Sequence, residues 1–249
     1  MEWTMMAKLL NSLGTAITQL PHHLFTQLKT HCFLCGNNCA ITEMVCGHCL
    51  TELPRWPVNA LLDSPQIANN IEHQFIDELY SFGDYQPPLS RWLKSVKYSR
   101  QTKLTRLLAQ LIESHLVSLP VVTDSTDHST LSPVLTVVPI HVKKWSLRGF
   151  NQCHEIIKRC NAKNQYNYAP DLMIQLHDET KQAGLSGFRR RARRRNFQVN
   201  TNYRLDNQHV ILFDDVLTTG STVNKIASQL KQAGAKYVTV LTIAVAVKR

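Results

Sequence analysis

Two consecutive carboxylates and a cluster of hydroxyl side chains make residues 210–222 the part of the chain best suited to chemistry. The segment reads VILFDDVLTTGST, an apolar run followed by Asp214 and Asp215 and then by small hydroxyl residues around one glycine. The backbone N–H groups of such a loop, and of the predicted helix at residues 223–232, form a concave site for a phosphate. The glycine lets the backbone approach closely or adopt a positive φ, and the hydroxyls add donors. The predicted phosphate-binding residues are Thr218, Thr219, Gly220, Ser221 and Thr222.

The acidic pair predicts a sugar beside that phosphate, because carboxylates and phosphates repel each other. Asp214 and Asp215 are suited to accept hydrogen bonds from the vicinal hydroxyls of a ribose, with help from a bound Mg²⁺. The alternative is a buried strand that ends in an ordinary acidic turn capping a helix. A plain cap needs neither both aspartates nor the whole TTGST run, so we favour a phosphorylated sugar.

This stretch resembles the phosphoribosyl-pyrophosphate (PRPP) loop of type I phosphoribosyltransferases. In that family the two acidic residues contact the ribose 2′ and 3′ hydroxyls, and the following loop cradles the 5′-phosphate. The strand–loop–helix context makes the match far more specific than a lone glycine-rich pattern. The resemblance implies that the ligand is PRPP, bound together with Mg²⁺.

Paired cysteines near the N-terminus predict a metal site. Cys32 and Cys35 form one C-x-x-C knuckle, and Cys46 and Cys49 form a second after ten intervening residues. Four thiolates in two such pairs supply the tetrahedral ligand set that Zn²⁺ favours in structural sites. Cys39 and His48 are competing ligands, and redox thiols or an iron site are the alternative interpretations.

Composition limits the kind of protein this is. The chain has 249 residues, 43% of them hydrophobic, enough for one α/β domain with a small appendage. No apolar stretch is long enough to span a membrane. The first residues lack a clean signal-peptide core, and residues 5–20 predict an amphipathic helix that packs on the fold, with a membrane-surface helix as the alternative. Seven cysteines, an odd number, argue against a disulfide framework and predict a cytoplasmic protein.

Basic residues concentrate between residues 141 and 195. This stretch carries thirteen lysines and arginines against four acidic residues, out of a net charge of +10 for the whole chain, so its partner is anionic. Residues 177–200 mix glycines and polar residues with an arginine run and predict a flexible flap that orders over an anion. A solvated basic helix is the alternative. The run is also a candidate nucleic-acid contact, made of Arg189, Arg190, Arg191, Arg193, Arg194 and Arg195.

The middle of the chain predicts alternating strands and helices. We expect a strand at residues 78–85, two helices or one broken near Ser99 at residues 89–119, and a mobile loop at residues 118–133. A buried strand at residues 134–138 ends at Pro139. After it we predict a basic loop and then a helix from about Asn151. Such a loop in a doubly wound sheet is suited to a pyrophosphate, although a solvated loop is the alternative. Its candidate ligands are Lys143, Lys144 and Arg148.

The order of these parts resembles the ComF/GntX family of bacterial proteins linked to natural transformation or to the use of external DNA. The matching features are the four-cysteine knuckle followed by Leu53 and Pro54, the Val138-Pro139 and RGFNQ segments, the flap with Gln182, Leu185 and Asn196, and DDVLTTGST. The chain departs from the family in its first thirty residues, in the length of the arginine run, and at Lys144, where an arginine is more typical.

The resemblance implies a parallel-sheet α/β domain of phosphoribosyltransferase type at residues 75–249 and a small zinc-binding module at residues 31–56. Residues 1–30, where the chain departs from the family, are predicted to form a helical extension. The resemblance also implies a cytosolic PRPP-binding protein of natural competence and external-DNA use. The alternatives are an active phosphoribosyltransferase with an unidentified acceptor and a single-stranded-DNA-binding accessory protein. The expected partners are PRPP, single-stranded DNA and other competence proteins such as a helicase or DNA-processing factors. The sequence identifies no catalytic acid or base.

Overall fold

The computed structural model describes residues 29–40, 43–99, 102–120, 132–176 and 197–246. Contacts within the chain divide it into two units, Met1–Leu53 and Pro54–Arg249. The core of the second unit includes Leu61, Ile67 and Ile71, which precede the domain start predicted at residue 75. Three predicted features lie wholly or mostly outside the described residues: the helix at 5–20, most of the loop at 118–133, and residues 177–196 of the flap, which include its six arginines. The last residues of the predicted flap form a strand, Phe197–Val199.

The first unit is a small cysteine-rich module. Strand β1 (Lys29–His31) pairs antiparallel with β2 (Asn38–Ala40), and helix α1 (Gly47–Glu52) follows. The turn between the strands places Gly36 at a φ of 74°, and its N–H donates to the carbonyl of Cys32 over 2.9 Å. Cys46 caps α1 by accepting the N–H of Cys49 at its sulfur. The two halves are joined by the N–H of Phe33, which donates to the carbonyl of Met44 over 2.8 Å, and by the N–H of Cys46, which donates to the sulfur of Cys32 over 3.4 Å.

A five-stranded parallel sheet organises the second unit. The remaining strands are β3 (Glu78–Asp84), β4 (Val134–Val137), β5 (Asn167–Tyr168), β6 (Met173–Gln175), β7 (Phe197–Val199), β8 (His209–Leu217) and β9 (Tyr237–Val245). The sheet order is β3-β9-β8-β4-β5, with every neighbouring pair parallel, and β6 and β7 form a separate antiparallel pair. The central strands β8 and β9 are almost wholly buried, as expected for a parallel sheet covered on both faces.

Helices cover this sheet. They are α2 (Pro65–Ala68), α3 (Leu89–Ser99), α4 (Thr102–Ser118), α5 (Val142–Arg148), α6 (Gln152–Ile157) and α7 (Ser221–Gln232), with short 3₁₀ turns at Leu61–Asp63 and Ala162–Gln165. The α7 residues Val223, Ile226 and Leu230 pack in one cluster with Leu212 and Val240 of the sheet. The predicted break near residue 99 is confirmed, since α3 ends there and α4 begins three residues later.

Two local features differ from what the sequence suggests. Strand β8 does not stop with the apolar run but continues through both carboxylates, because β9 pairs with it from Asp214 to Leu217. The predicted basic loop is the short helix α5. His141 caps its start through a bond from the N–H of Lys143, and Gly149 ends it at a left-handed φ of 77°.

Candidate functional site

Asp215 is buried at the carboxyl end of β8 and is held through one of its oxygens. Lys97 Nζ lies 2.7 Å from Oδ2, and the Gln152 side-chain amide donates to the same oxygen over 3.2 Å. Burial acts against the charged lysine, but the Asp215 carboxylate outweighs it and raises the pKa of Lys97. Among the described residues, none donates a hydrogen bond to the second oxygen, Oδ1.

Asp214 is anchored in the same one-sided way. Its Oδ1 accepts the backbone N–H of Asp215 over 2.9 Å and the thiol of Cys153 over 3.7 Å. Within the described part of the chain no hydrogen bond reaches its Oδ2. Burial first, and then the neighbouring Asp215 carboxylate, raise the pKa of Asp214 to about 7. This carboxyl group therefore holds its proton more readily than an ordinary aspartate.

The two carboxylates together form a pair of prepared acceptors. Ligand atoms of Asp214, Asp215 and Cys153 all lie within 4.8 Å of one another. Each carboxylate contacts the described residues through one oxygen, and its other oxygen has no donor among them. An ionised carboxylate accepts hydrogen bonds and donates none. The natural complement of this pair is therefore two neighbouring hydroxyl groups.

The loop after β8 is shaped by Gly220. This residue has a φ of 75°, and a Cβ built on it would clash with Ile71 Cγ2 and lie 2.5 Å from the carbonyl oxygen of Glu72. The N–H of Glu72 donates to the carbonyl of Thr219 over 2.8 Å. The positive φ predicted for the glycine is present. Its close packing against Ile71 and Glu72 was not predicted from the sequence.

Helix α7 begins directly from this loop. It has twelve residues, and its N-cap, Gly220, offers no side chain to the first N–H groups. Thr218 and Thr219 are exposed, while Ser221 and Thr222 are half-buried in the first turn. The N–H groups of a first turn lack partners within the helix and carry its positive end. The N–H of Ser221 donates to Thr219 Oγ1 over 3.4 Å. The loop hydroxyls and the positive end of α7 therefore lie at the same edge of the sheet as the acidic pair.

The basic helix α5 connects to the acidic pair through Gln152. Arg148 Nη1 donates to Gln152 Oε1 over 2.8 Å, which orients the amide so that its nitrogen faces Asp215. Lys143 and Lys144 are exposed on α5, and the Trp145 side chain beside them is 50% exposed. The structure thus ties one of the three predicted pyrophosphate ligands to the carboxylates and places the other two at the surface.

Sequence reasoning missed Lys97 and gave Gln152 and Cys153 no role in the site. A signal for Lys97 was present, because it follows Leu93 by four residues and Val96 by one, on the buried side of α3. A lysine at such a position requires a buried partner. Nothing in the sequence says that this partner is Asp215, which lies in a distant strand.

In the cysteine module the sulfur atoms of Cys32, Cys35, Cys46 and Cys49 lie within 4.8 Å of one another. Burial acts to raise the pKa of Cys32, but hydrogen bonds from Cys35, Cys46 and Leu34 outweigh it and lower this pKa to about 6. A thiolate is thereby favoured, and thiolates are the form that binds metals. The four-cysteine cluster can hold a structural metal ion.

The two competing ligands do not join that cluster. Cys39 lies on β2 opposite Thr30, and its thiol donates to the carbonyl of Glu43 over 3.7 Å. His48 is exposed on α1, between the two cysteines of the second knuckle. Within the described residues the metal-binding set of this module therefore consists of the two C-x-x-C pairs.

Two proteins similar to this chain have names that refer to DNA utilization and to competence. The chain is 27% identical over 216 residues to the DNA utilization protein YhgH of Escherichia coli K12, covering 85% of this chain and 82% of that protein. It is 26% identical over 231 residues to competence protein F of Haemophilus influenzae, covering 88% and 86%. The resemblance to the ComF/GntX family is confirmed. No protein-family model matches the chain.

Several solved structures resemble the chain loosely. They include an allosteric regulatory enzyme of purine biosynthesis (16% identity, TM-score 0.32) and the glutamine PRPP amidotransferase of B. subtilis (20%, 0.30), each matched over 59% of this chain and 26% of theirs. The match thus spans about a quarter of those longer chains. A hypoxanthine phosphoribosyltransferase of Staphylococcus aureus matches over 54% of this chain and 59% of its own, with 15% identity and a TM-score of 0.30.

The predicted fold class is confirmed by the described residues. The sheet is parallel with helices around it, and the four N-terminal cysteines form a close cluster. No described helix is both long enough and apolar enough to cross a lipid bilayer.

Proposed function

We propose that this protein binds PRPP at the carboxyl edge of its sheet and acts in natural competence and the use of external DNA. The observation that carries the proposal is the acidic pair, in which each carboxylate is anchored through one oxygen and followed by a donor-rich loop. The names of the related proteins support the role in DNA use. Seven free thiols are compatible with a cytoplasmic protein, where a helicase or DNA-processing factor would be its partner.

In this proposal each part of PRPP meets a different element. The 5′-phosphate binds the loop from Thr218 to Thr222 and the start of α7. The ribose hydroxyls donate to Asp215 Oδ1 and Asp214 Oδ2. The pyrophosphate takes charge-assisted hydrogen bonds from Lys143, Lys144 and Arg148. Mg²⁺ enters with the pyrophosphate and neutralises part of its charge, since this ion prefers phosphate oxygens and water.

We also propose that the cysteine module binds one structural zinc ion through Cys32, Cys35, Cys46 and Cys49. Four sulfurs placed tetrahedrally at a Zn–S distance of about 2.3 Å lie about 3.8 Å apart. The sulfurs of Cys35 and Cys46 are separated by 3.8 Å. Soft thiolate ligands without an oxygen donor favour zinc over magnesium or calcium.

Calorimetry with Mg²⁺ and PRPP tests the sugar site. The variant Asp215→Asn should bind PRPP more weakly by about 1–3 kcal/mol, the range for a hydrogen bond to a charged group. Asp63→Asn, which changes an exposed aspartate in the 3₁₀ turn, is the matched control and should bind like the wild type. Unchanged affinity in a double variant, Asp214→Asn with Asp215→Asn, would show that the acidic motif is only structural.

A second candidate function is contact with single-stranded DNA. The exposed Trp145 stands next to Lys143 and Lys144 on α5, and an aromatic ring beside cations is the usual platform for stacking a base. Replacing Trp145 with Ala should weaken the binding of a short single strand by about 1–3 kcal/mol. PRPP binding that falls equally would assign this tryptophan to the PRPP site instead.

A further inference from the structure

A positively charged side chain, Lys97, lies in direct contact with the acidic pair. Lys97 Nζ lies 2.7 Å from Asp215 Oδ2, and the side chains of Lys97 and Asp215 are 22% and 7% exposed. The lysine reaches this point from α3, which packs against β9. The ion pair is therefore part of the protein's packed structure rather than a surface contact.

This cation disfavours a metal ion bound directly to the carboxylates. A Mg²⁺ ion on Asp215 would stand a few ångströms from the ammonium group of Lys97 and would be repelled by it. The third group of the cluster, the thiol of Cys153, is a soft ligand that Mg²⁺ does not select. The residues present thus fit a carboxylate-bound Mg²⁺ poorly.

The same contacts prepare the pair for an uncharged ligand. Lys97 and Gln152 both bond to Oδ2 of Asp215, which leaves Oδ1 without a donor among the described residues, and Arg148 fixes the orientation of the Gln152 amide. A hydroxyl group that donates to Asp215 needs no metal ion to compensate the negative charge of that carboxylate, because Lys97 already does so.

We propose that Lys97 is a positioning residue that replaces a carboxylate-bound metal ion, so that the ribose hydroxyls bind the acidic pair without Mg²⁺. This inference rests on the proposed PRPP site and deepens it. It assigns the requirement for Mg²⁺ to the pyrophosphate alone. A ligand that has the ribose and the 5′-phosphate but no pyrophosphate is then bound equally well with and without the metal.

Ribose 5-phosphate and PRPP are the two probes for this inference. Each is titrated calorimetrically into the full zinc-loaded chain, in buffer freed of Mg²⁺ by a resin and again with Mg²⁺ added, since a strong soluble chelator would strip the cysteine module. The affinity for ribose 5-phosphate should change by less than about twofold on adding Mg²⁺, whereas that for PRPP should rise by about tenfold or more.

Variants of the lysine separate its charge from its packing. Lys97→Met should bind ribose 5-phosphate about tenfold more weakly without Mg²⁺, and added Mg²⁺ should recover most of the loss. Lys97→Arg, which keeps the charge, should retain binding that is independent of Mg²⁺. Lys94→Met changes an exposed lysine on the same helix and should behave like the wild type.

Two results would overturn the inference. If wild-type protein binds PRPP but binds ribose 5-phosphate only with Mg²⁺, the role of Lys97 is refuted while the PRPP site stands. If neither probe binds under any condition, the PRPP site itself is refuted and the inference falls with it. Should Lys97→Met fail to fold, the wild-type titrations and the Lys97→Arg variant decide the matter.

Discussion

The four-cysteine cluster and the site at the sheet edge are assembled in opposite ways. The cluster takes all four sulfurs from residues 32 to 49, where short turns and one helix cap place them. The sheet-edge site gathers Lys97, Gln152 and Asp215 from three elements far apart in sequence. We therefore expect the first site to depend on a bound metal ion for its structure, and the second on the apolar core that holds its elements in register.

Loss of the metal should have the largest effect and should be confined to the first unit. Cys35→Ser should remove the zinc and unfold residues 29–53 locally or cause aggregation, because a structural zinc contributes an apparent 10–16 kcal/mol, roughly, to the folding of such small modules. Metal analysis and hydrogen exchange measure both effects. The sheet of the second unit should keep its protection.

Cys39→Ser is the matched control for that variant. It changes a buried cysteine of the same module that lies outside the cluster, so the zinc content should stay at about one per chain. Full zinc in Cys35→Ser, or its loss in Cys39→Ser, would show that the ligand set is wrong.

A methyl group at Gly220 should test how tightly the sheet-edge loop is held. In Gly220→Ala the new Cβ would meet Ile71 and the backbone of Glu72 at a positive φ, which should lower the free energy of unfolding by about 2–4 kcal/mol. Urea denaturation measures the change. Gly47→Ala is the counterpart in the cysteine module, where a Cβ meets nothing within 4 Å and little effect is expected. Equal effects at both glycines would contradict the close packing of the loop.

Asp214 should make stability depend on pH. Its pKa is raised from an ordinary 3.8 to about 7, so the folded state keeps a proton that the unfolded chain releases. The contribution of this group to the free energy of unfolding is greatest below about pH 4, where the carboxyl group is protonated in both states. That contribution is lost as the pH rises through about 7. Asp214→Asn should therefore be more stable than the wild type at pH 8 by about 1–3 kcal/mol, allowing for its partial exposure.

Unfolding in urea at pH 5 and pH 8 checks this prediction. In Asp214→Asn the free energy of unfolding should differ less between pH 5 and pH 8 than in the wild type. Asp63→Asn, which changes an exposed aspartate, should keep the wild-type difference. A wild-type protein that is more stable at pH 8 than at pH 5, with the same slope in Asp214→Asn, would mean that the carboxyl group is not held protonated.

The arginine run should have the smallest effect on the sheet-edge site. Changing Arg189, Arg190, Arg193 and Arg194 to Gln should leave PRPP affinity unchanged, because six arginines exceed what one pyrophosphate can engage. Binding of single-stranded DNA should fall, and its salt slope should shrink by roughly 0.7 for each DNA phosphate that the variant no longer binds. Normal DNA binding with an unchanged slope would rule out a DNA surface here, and weakened PRPP binding would favour a flap over the sugar site.

The sequence alone determined the features that depend on neighbouring residues. The spacing of the four cysteines led to a cluster, and the apolar run followed by a glycine-containing hydroxyl segment led to a strand, a turn at positive φ and a helix. Such features follow from local backbone geometry and from side-chain type, so a short window of sequence contains what is needed to predict them.

Only the tertiary structure decided where the two carboxylates lie and which side chains they contact. Strand β8 runs through Asp214 and Asp215 because β9 pairs with it there, and that pairing is invisible in residues 210–222 themselves. The contact of Lys97 with Asp215, and the amide that joins Asp215 to Arg148, exist because packing brings α3 and α6 to one sheet edge. Contacts between residues so distant in sequence are set by the shape of the core, which no local pattern specifies.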